Sequence, residues 1–427
     1  MASTTTVQEP GPGGAAGGQA TSVPLEKIKV VLLEGVHPRA VEVFEKEGFT
    51  VETHKGALAG DDLLGAVKDA SLIGIRSKTR LTREVFESAR RLWAVGCFCI
   101  GTNQVDLEAA AERGVAVFNA PFSNTRSVAE LVIAESIALH RKLFARSAAM
   151  HAGKWAKSAS GSHEVRGRTM GIVGYGRIGS QVSVLAEAMG MRVVYHDITG
   201  TLPLGNAEPR DSLEAVLREA DVVTLHVPAT ATTEGLIGAR EIGLMKKGAF
   251  LINNARGSVV DLEALAAALD EGRLGGAAVD VFPEEPEARE AAFETPLAGL
   301  DNVILTPHVG GSTVEAQRNI AEEVGTKLVK LMNNGSTATS VNVPDAELPS
   351  LHEDHHRVLH FHRNVPGVLG KLNAVLAETG ANVAAQYLQS DMHHSYVIID
   401  VKSTGKSDTV REKLLEIPET IRVRLLW

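Results

Sequence analysis

Thr169-Met-Gly-Ile-Val-Gly-Tyr-Gly-Arg-Ile-Gly179 decides how this chain is read. Five residues of strand character end at Gly174, and Gly174-x-Gly176-x-x-Gly179 turns the chain into a helix expected to run to Gly190. Each glycine has a purpose in such a turn: a tight bend, close backbone approach to a pyrophosphate, and close packing of helix on sheet. The helix N-terminus then offers free N–H groups and a partial positive charge to phosphate. With 41 glycines in the chain, the motif alone says little. Its position between a strand and a helix gives it weight. The next strand, Arg192–His196, is followed by Asp197, 18 residues after Gly179. A carboxylate there accepts bonds from ribose hydroxyls and repels a 2′-phosphate, so NAD is expected rather than NADP.

Outward from this turn, short apolar strands alternate with amphipathic helices, the pattern of parallel sheets covered on both faces. Strands are predicted at Ile28–Leu33, Leu72–Ile75, Leu92–Val95 and Val115–Phe118, with helices at Pro38–Glu47, Asp61–Val67, Thr82–Ala89 and Asp106–Arg113. A long helix is predicted from Ser127, as N-cap with Glu130 completing a capping box, to about Arg141. Further strands fall at Val222–His226, Ala249–Ile252, Ala277–Val279 and Val303–Leu305. Val314, Ile320, Ala321, Val324, Leu328 and Leu331 mark another helix by their 3.6-residue period. Residues 333–350 read as a linker, rich in polar residues and proline. Beyond it lies a β-α-β-β-α-β order with strands at His356–His362, Ala381–Gln389, Ser395–Val401 and Thr420–Leu426 and helices at Gly367–Glu378 and Asp408–Leu415. That is the ferredoxin-like arrangement.

Bulk properties narrow the function. At 427 residues the chain holds about two to three domains. A net charge of -9 argues against nucleic acid as a partner. No stretch approaches the roughly 18 apolar residues needed to span a bilayer. The first 20 residues lack a basic and apolar leader pattern and read as a disordered tail. The two cysteines, Cys97 and Cys99, are too close to pair without strain and too few for zinc, and their scarcity fits a reducing cytosol. Adjacent histidines on a strand, His355-His356 and His393-His394, point to opposite faces, so no metal is expected.

Three polar residues follow strand ends in the second α/β segment, where ligands bind in open sheets. Arg256, in Asn-Asn-Ala-Arg-Gly257, offers a planar fork suited to a carboxylate. Glu285 lies in Asp280-Val-Phe-Pro-Glu-Glu-Pro286, and His308 in Thr306-Pro-His-Val-Gly-Gly311. A carboxylate beside an imidazole stabilises its protonated form, so the pair can take a hydroxyl proton as an alcohol becomes a ketone.

These motifs resemble the D-isomer-specific 2-hydroxyacid dehydrogenases. Gly101-Thr-Asn-Gln-Val-Asp106, the run from Phe118 to Glu130 and the C-terminal module resemble the bacterial branch that oxidises 3-phospho-D-glycerate and carries an ACT domain. The likeness runs from about Leu25 to Trp427. It implies an α/β architecture of two doubly wound parallel-sheet domains, one Rossmann and one flavodoxin-like, plus an ACT module. The implied boundaries are a tail over 1–24, a discontinuous substrate domain over 25–124 and 312–333, a cofactor domain over 125–311, a linker over 334–353 and the ACT domain over 354–427.

By the same resemblance Arg256 holds the substrate carboxylate, His308 is the acid/base and Glu285 orients it. NAD contacts are implied at Gly174, Gly176, Arg177, Ile178, Gly179, Asp197, Asn254, Ala255, Arg256, Asp280, His308, Val309, Gly310 and Gly311. Substrate contacts are implied at Arg76, Ser77, Lys78 and Asn124, the two cations suiting a phosphorylated 2-hydroxy acid. His362, Asn364 and Asn382 are implied to bind L-serine, the end product, between paired modules of a homotetramer in the cytoplasm. His356 and Arg357 stand where relatives carry two cations for an anionic effector. Side reduction of 2-oxoglutarate is a further implication. The alternatives are a glyoxylate/hydroxypyruvate reductase and a non-enzymatic NAD-sensing corepressor.

Overall fold

A computed structural model describes residues 23–286, 292–352, 354–402 and 407–427. Of the tail read over 1–24, residues 1–22 lie outside them. The described residues fall into two compact units, one within 23–119 and 321–427 and the other within 120–320.

In the first unit, β1 (Lys29–Leu32), β2 (Thr50–Thr53), β3 (Leu72–Ile75), β4 (Ala94–Cys97) and β5 (Ala116–Phe118) form a parallel sheet. Its order is β2-β1-β3-β4-β5. This is the flavodoxin-like winding. The helices between are α1 (Arg39–Lys46), α2 (Gly60–Val67), α3 (Arg83–Ser88) and α4 (Leu107–Glu112). The edge strand β2 escaped the sequence reading because Thr50-Val-Glu-Thr53 is only half-covered and alternates weakly. β4 begins two residues later than predicted, since Leu92 caps the core below it rather than joining the ladder.

The second unit starts with α5 (Thr125–Arg141) and α6 (Leu143–His151). Its sheet contains β6 (Thr169–Val173), β7 (Arg192–His196), β8 (Glu208–Pro209), β9 (Val222–Leu225), β10 (Phe250–Asn253), β11 (Gly276–Val279) and β12 (Val303–Leu305). The order β12-β11-β10-β9-β6-β7-β8 is the Rossmann winding, with its switch point between β6 and β9. Helices α7 (Arg177–Ala188), α8 (Leu213–Glu219), α9 (Ala239–Leu244) and α10 (Leu262–Asp270) cover it. Alternating strand residues feed two apolar layers: Val173, Leu225, Leu251 and Val279 on one face, Met170, Ile172, Val222 and Ile252 on the other.

The start of α5 differs from the Ser127 capping box. The helix begins at Thr125 behind Asn124, which makes no side-chain cap bond. Ser127 lies inside it and bonds Thr313 Oγ1 through Oγ at 2.8 Å, while Glu130 pairs with Arg126. A tertiary partner for the hydroxyl displaced the local cap. Helix α6 buries none of its residues, so no core-facing stripe marks it in the sequence.

α11 (Val314–Asn334) continues from the second unit into the first. After it, residues 335–350 lack regular structure but are tied down rather than slack. Asn342 bonds the backbone of Leu107, Val115 and Val117, and Val341 N–H donates to Val117 O at 2.9 Å. The remaining elements are β13 (His355–Arg363), α12 (Val368–Thr379), β14 (Val383–Ser390), β15 (His394–Lys402), α13 (Ser407–Leu415) and β16 (Thr420–Leu426). Their antiparallel sheet, ordered β14-β15-β13-β16, is the ferredoxin-like fold read from the sequence. Among the described residues no helix is long and apolar enough to cross a membrane.

Candidate active site

The glycine turn has the geometry that its sequence demands. Gly174 adopts φ +90°, and a Cβ there would meet the His226 carbonyl oxygen at 2.6 Å. A Cβ on Gly179 would lie 2.2 Å from the Gly174 carbonyl oxygen, so only glycine lets α7 approach β6. Gly176, the N-cap of α7, has no neighbour within 4 Å of a built Cβ. Open space at a 12-residue helix N-terminus is what a pyrophosphate requires. Arg177 lies with its guanidinium 3.8 Å above the Phe122 ring, and Ile178 packs on the core layer below.

Asp197 accepts the Tyr175 N–H on Oδ2 at 2.6 Å and the Thr199 N–H and hydroxyl on Oδ1 at 2.8 and 2.7 Å. Burial pushes its carboxyl upward, but the Thr199 and Tyr175 bonds outweigh that and hold it below the usual carboxylate range. It therefore stays ionised at neutral pH, with lone pairs left for ribose hydroxyls.

At the ends of β10, β11 and β12, three loops assemble the polar trio. Asn253, fully buried, clamps the first: Oδ1 accepts the Ala255 N–H at 3.2 Å and Nδ2 donates to Arg256 O at 3.1 Å. Arg256 is partly exposed, and its Nη1 donates to Ala255 O at 2.7 Å. Gly257 makes the closest backbone approach: a Cβ there would lie 1.9 Å from the Phe282 carbonyl carbon. The Arg256 loop thus rests directly on the Glu285 loop. The sequence reading passed over both Asn253 and Gly257.

Glu285 accepts the Phe282 N–H on Oε1 at 3.1 Å and contacts His308 Nδ1 through Oε2 at 2.8 Å. A carboxylate acceptor places the imidazole proton on Nδ1, leaving Nε2 with a free lone pair. His308 has φ +54°, rare for a side chain with a Cβ. Buried Asp280 enforces it. Its carbonyl accepts the His308 N–H at 2.8 Å, Oδ1 accepts Thr306 Oγ1–H at 2.6 Å and Val309 N–H at 2.8 Å, and Oδ2 accepts Gly310 N–H at 2.8 Å. Strain of this kind persists where the surroundings over-determine it. Gly311 lies against buried Asn124, whose Nδ2 would be 2.2 Å from a built Cβ. Asn254 is buried, and its amide turns to Glu135 Oε2 on α5, 2.8 Å away.

In the first unit, Arg76, Ser77 and Lys78 form the loop after β3. Glu34 fixes it by accepting the Lys78 and Thr79 N–H groups at 3.0 and 2.7 Å, and Gln104 donates to Arg76 O at 2.6 Å. Neither positioning residue was singled out from the sequence.

In the C-terminal module, His362 is buried with Nδ1 unpartnered, and burial holds its imidazole below the usual range against the opposing charge of Glu419. Asn364 is exposed and donates to Asp391 O at 2.7 Å, while Asn382 lies exposed just before β14. Arg357 is not free for an anion. It is fully buried, bidentate to Asp400 at 2.6 and 2.8 Å, and donates to Asn334 O and Pro349 O at 2.9 Å. His356 stacks on Trp427.

Known proteins resemble this chain in sequence and fold. Residues 133–310 match the family described as D-isomer specific 2-hydroxyacid dehydrogenase, NAD binding domain. Residues 358–422 match the AHAS small subunit-like ACT domain. The chain is 54% identical over 407 residues to D-3-phosphoglycerate dehydrogenase of Haemophilus influenzae, spanning 95% of this chain and 99% of that protein. It belongs to the D-3-phosphoglycerate dehydrogenase family. The member from Escherichia coli K12 is 52% identical over 411 residues, with 95% and 99% coverage. Among solved structures, D-2-hydroxyisocaproate dehydrogenase superposes with TM-score 0.68 at 26% identity, over 74% of this chain and 99% of that one. An NAD-complexed D-isomer specific 2-hydroxyacid dehydrogenase from Lactobacillus delbrueckii gives 0.66 at 27%, over 74% and 100%. This dehydrogenase accordingly uses NAD, as the glycine turn and Asp197 anticipated.

Proposed function

We propose that this chain oxidises 3-phospho-D-glycerate to 3-phosphohydroxypyruvate, the first step of L-serine biosynthesis, and runs the reverse reduction. The His308 Nδ1–Glu285 Oε2 contact of 2.8 Å carries the reading, since it leaves Nε2 as a base. His308 Nε2 takes the C2 hydroxyl proton while the C2–H bond breaks, and returns it in the reduction. Glu285 holds the tautomer and stabilises the imidazolium that results. Bound NAD supplies the hydride acceptor. Arg256 pairs with the substrate carboxylate, and Arg76, Ser77 and Lys78, with Asn124, hold the remainder, including its phosphate. For the cofactor, Gly174, Gly176 and Gly179 admit the pyrophosphate and Asp197 takes the ribose. Arg177, Ile178, Asn254, Ala255, Asp280 and the Val309-Gly310-Gly311 turn line its remaining length.

His362, Asn364 and Asn382 bind L-serine as feedback effector. Edge strand β14, with Val383 and Leu388 exposed, supports pairing of two such modules, and α6, with Leu143, Phe144 and Met150 exposed, supports pairing of two cofactor domains. Two independent two-fold contacts give a homotetramer. The free cysteines fit a cytoplasmic enzyme. The domain boundaries follow the same reading, with the cofactor domain over 125–311 and the regulatory domain over 354–427. A substrate panel tests it: the phosphorylated 2-oxo acid should be reduced far faster than hydroxypyruvate or glyoxylate. Preference for the unphosphorylated acids would replace it with a hydroxypyruvate reductase. Side reduction of 2-oxoglutarate belongs in the same panel.

A further inference from the structure

Glu135 lies on α5, 3% exposed, and no step above uses it. Its Oε2 accepts a bond from Asn254 Nδ2 at 2.8 Å, buried on both sides. Its other oxygen, Oε1, has no partner, and neither has Asn254 Oδ1. Two buried acceptors without a donor are unfavourable if left so. The amide and carboxyl are already joined through one bond, and one hydrogen on Glu135 Oε1 would supply the missing donor to Asn254 Oδ1. The result is a cyclic acid–amide pair that gives both orphaned oxygens a partner.

We propose that Glu135 is a positioning residue: as a neutral carboxylic acid it closes a two-hydrogen-bond pair with Asn254, fixing the turn that presents Arg256, and its ionisation releases that turn. Among the described residues no cation pairs with Glu135, and the Asn254 amide alone favours its carboxylate. β10, β11 and β12, packed beside α5, contain no titratable residue. Of those on α7, Arg177 stacks on Phe122 and Glu187 accepts the Asn206 N–H. On α6, Arg146 bonds Ser158 and Ser162, and His151 is exposed at the far end. On α5 itself Arg126 and Glu130 pair with each other, His140 bonds Ser136 O, and Arg141 is exposed. The charge that acts on Glu135 is Asp280, which is also negative. Burial pushes the Glu135 carboxyl up to about 8, with Asp280 adding to it and the Asn254 amide opposing. Ionisation would set a second carboxylate against the one that anchors Val309 and Gly310.

The folded acid holds its proton where the unfolded chain, titrating at 4.5, has lost it. Stability from this group is therefore full below 4.5, falls as pH rises, and levels off above about 8. Glu135→Gln keeps the shape, donates to Asn254 Oδ1 at every pH and has nothing to lose. The inference rests on the dehydrogenase reading only in making the Asn254–Arg256 turn part of the NAD and substrate site.

The test measures NADH affinity by fluorescence against pH in the full chain, with no substrate present. Wild-type affinity should fall above about pH 8, by at most tenfold per unit, whereas Glu135→Gln should bind evenly across the range. Its melting temperature should also lose the wild-type decline between about pH 5 and 8. A Glu135→Gln protein that folds but keeps the wild-type alkaline limb, or that loses NADH at every pH, overturns the proposal. If that variant does not fold, infrared titration of the wild type decides. A buried protonated-carboxyl band at pH 7 that disappears near pH 8 supports the acid, and its absence refutes it. Failure to turn over phosphoglycerate alongside normal NADH titration would sink only the substrate reading.

Discussion

Gly257→Ala is the smallest perturbation that should separate the two catalytic loops. The added Cβ would fall 1.9 Å from the Phe282 carbonyl carbon and 2.1 Å from its oxygen, where ordinary contact begins at 3.4 Å. The obstruction is backbone on both sides, so no side chain can swing aside, and the loops must part by about 1.5 Å. Arg256 precedes the glycine and Glu285 stands three residues beyond Phe282, so the displacement falls between the carboxylate clamp and the base. A shift of about 1 Å in a reacting group can cost about a hundredfold. We expect kcat/KM for phosphohydroxypyruvate reduction to fall by about two orders of magnitude, while the protein stays folded. Steady-state kinetics with a thermal melt reads both. A variant within about threefold of wild-type kcat/KM would refute the argument that this contact sets the geometry.

His308→Ala should lower kcat by at least about a hundredfold through loss of proton transfer. Asp280→Asn removes charge-assisted acceptors from the turn that holds His308 at φ +54°, at about 1.5–3 kcal/mol for each bond lost; kcat and melting temperature should fall together. Asp197→Ala should weaken NAD binding by about ten- to a hundredfold and narrow the preference over NADP, read from KM for each cofactor. Arg76→Ala and Lys78→Ala should raise KM for the phosphorylated acid while leaving glyoxylate reduction nearly unchanged; equal losses on both would remove these cations from phosphate binding.

The parts of this protein legible in sequence are those where one residue type has no substitute. Gly174 and Gly179 are forced by backbone contacts, and the strand pattern around them specified the parallel sheets. The βαββαβ order of the C-terminal module was equally plain in apolar alternation. What stayed hidden depends on partners far away in the chain. Ser127 reads as a helix cap until Thr313 is seen beside it. Glu135 looks like any acid on a helix, and only Asn254, 119 residues on, shows it to be buried and bonded. Arg357 reads as a cation awaiting an anion, yet Asp400 on the neighbouring strand already fills its fork. Asn253 and Gly257 were within the quoted motif, but their work is to brace backbone, which leaves no mark in charge or hydropathy.

On this reading the trio moves a hydride and a proton on a phosphorylated 2-hydroxy acid. Purified protein should oxidise NADH when 3-phosphohydroxypyruvate is added, and L-serine should slow that rate in the intact chain. Inhibition absent from an active enzyme would remove only the feedback site at His362, Asn364 and Asn382. No NADH oxidation with 3-phosphohydroxypyruvate, in protein that binds NADH, would rule out that chemistry for Arg256, Glu285 and His308.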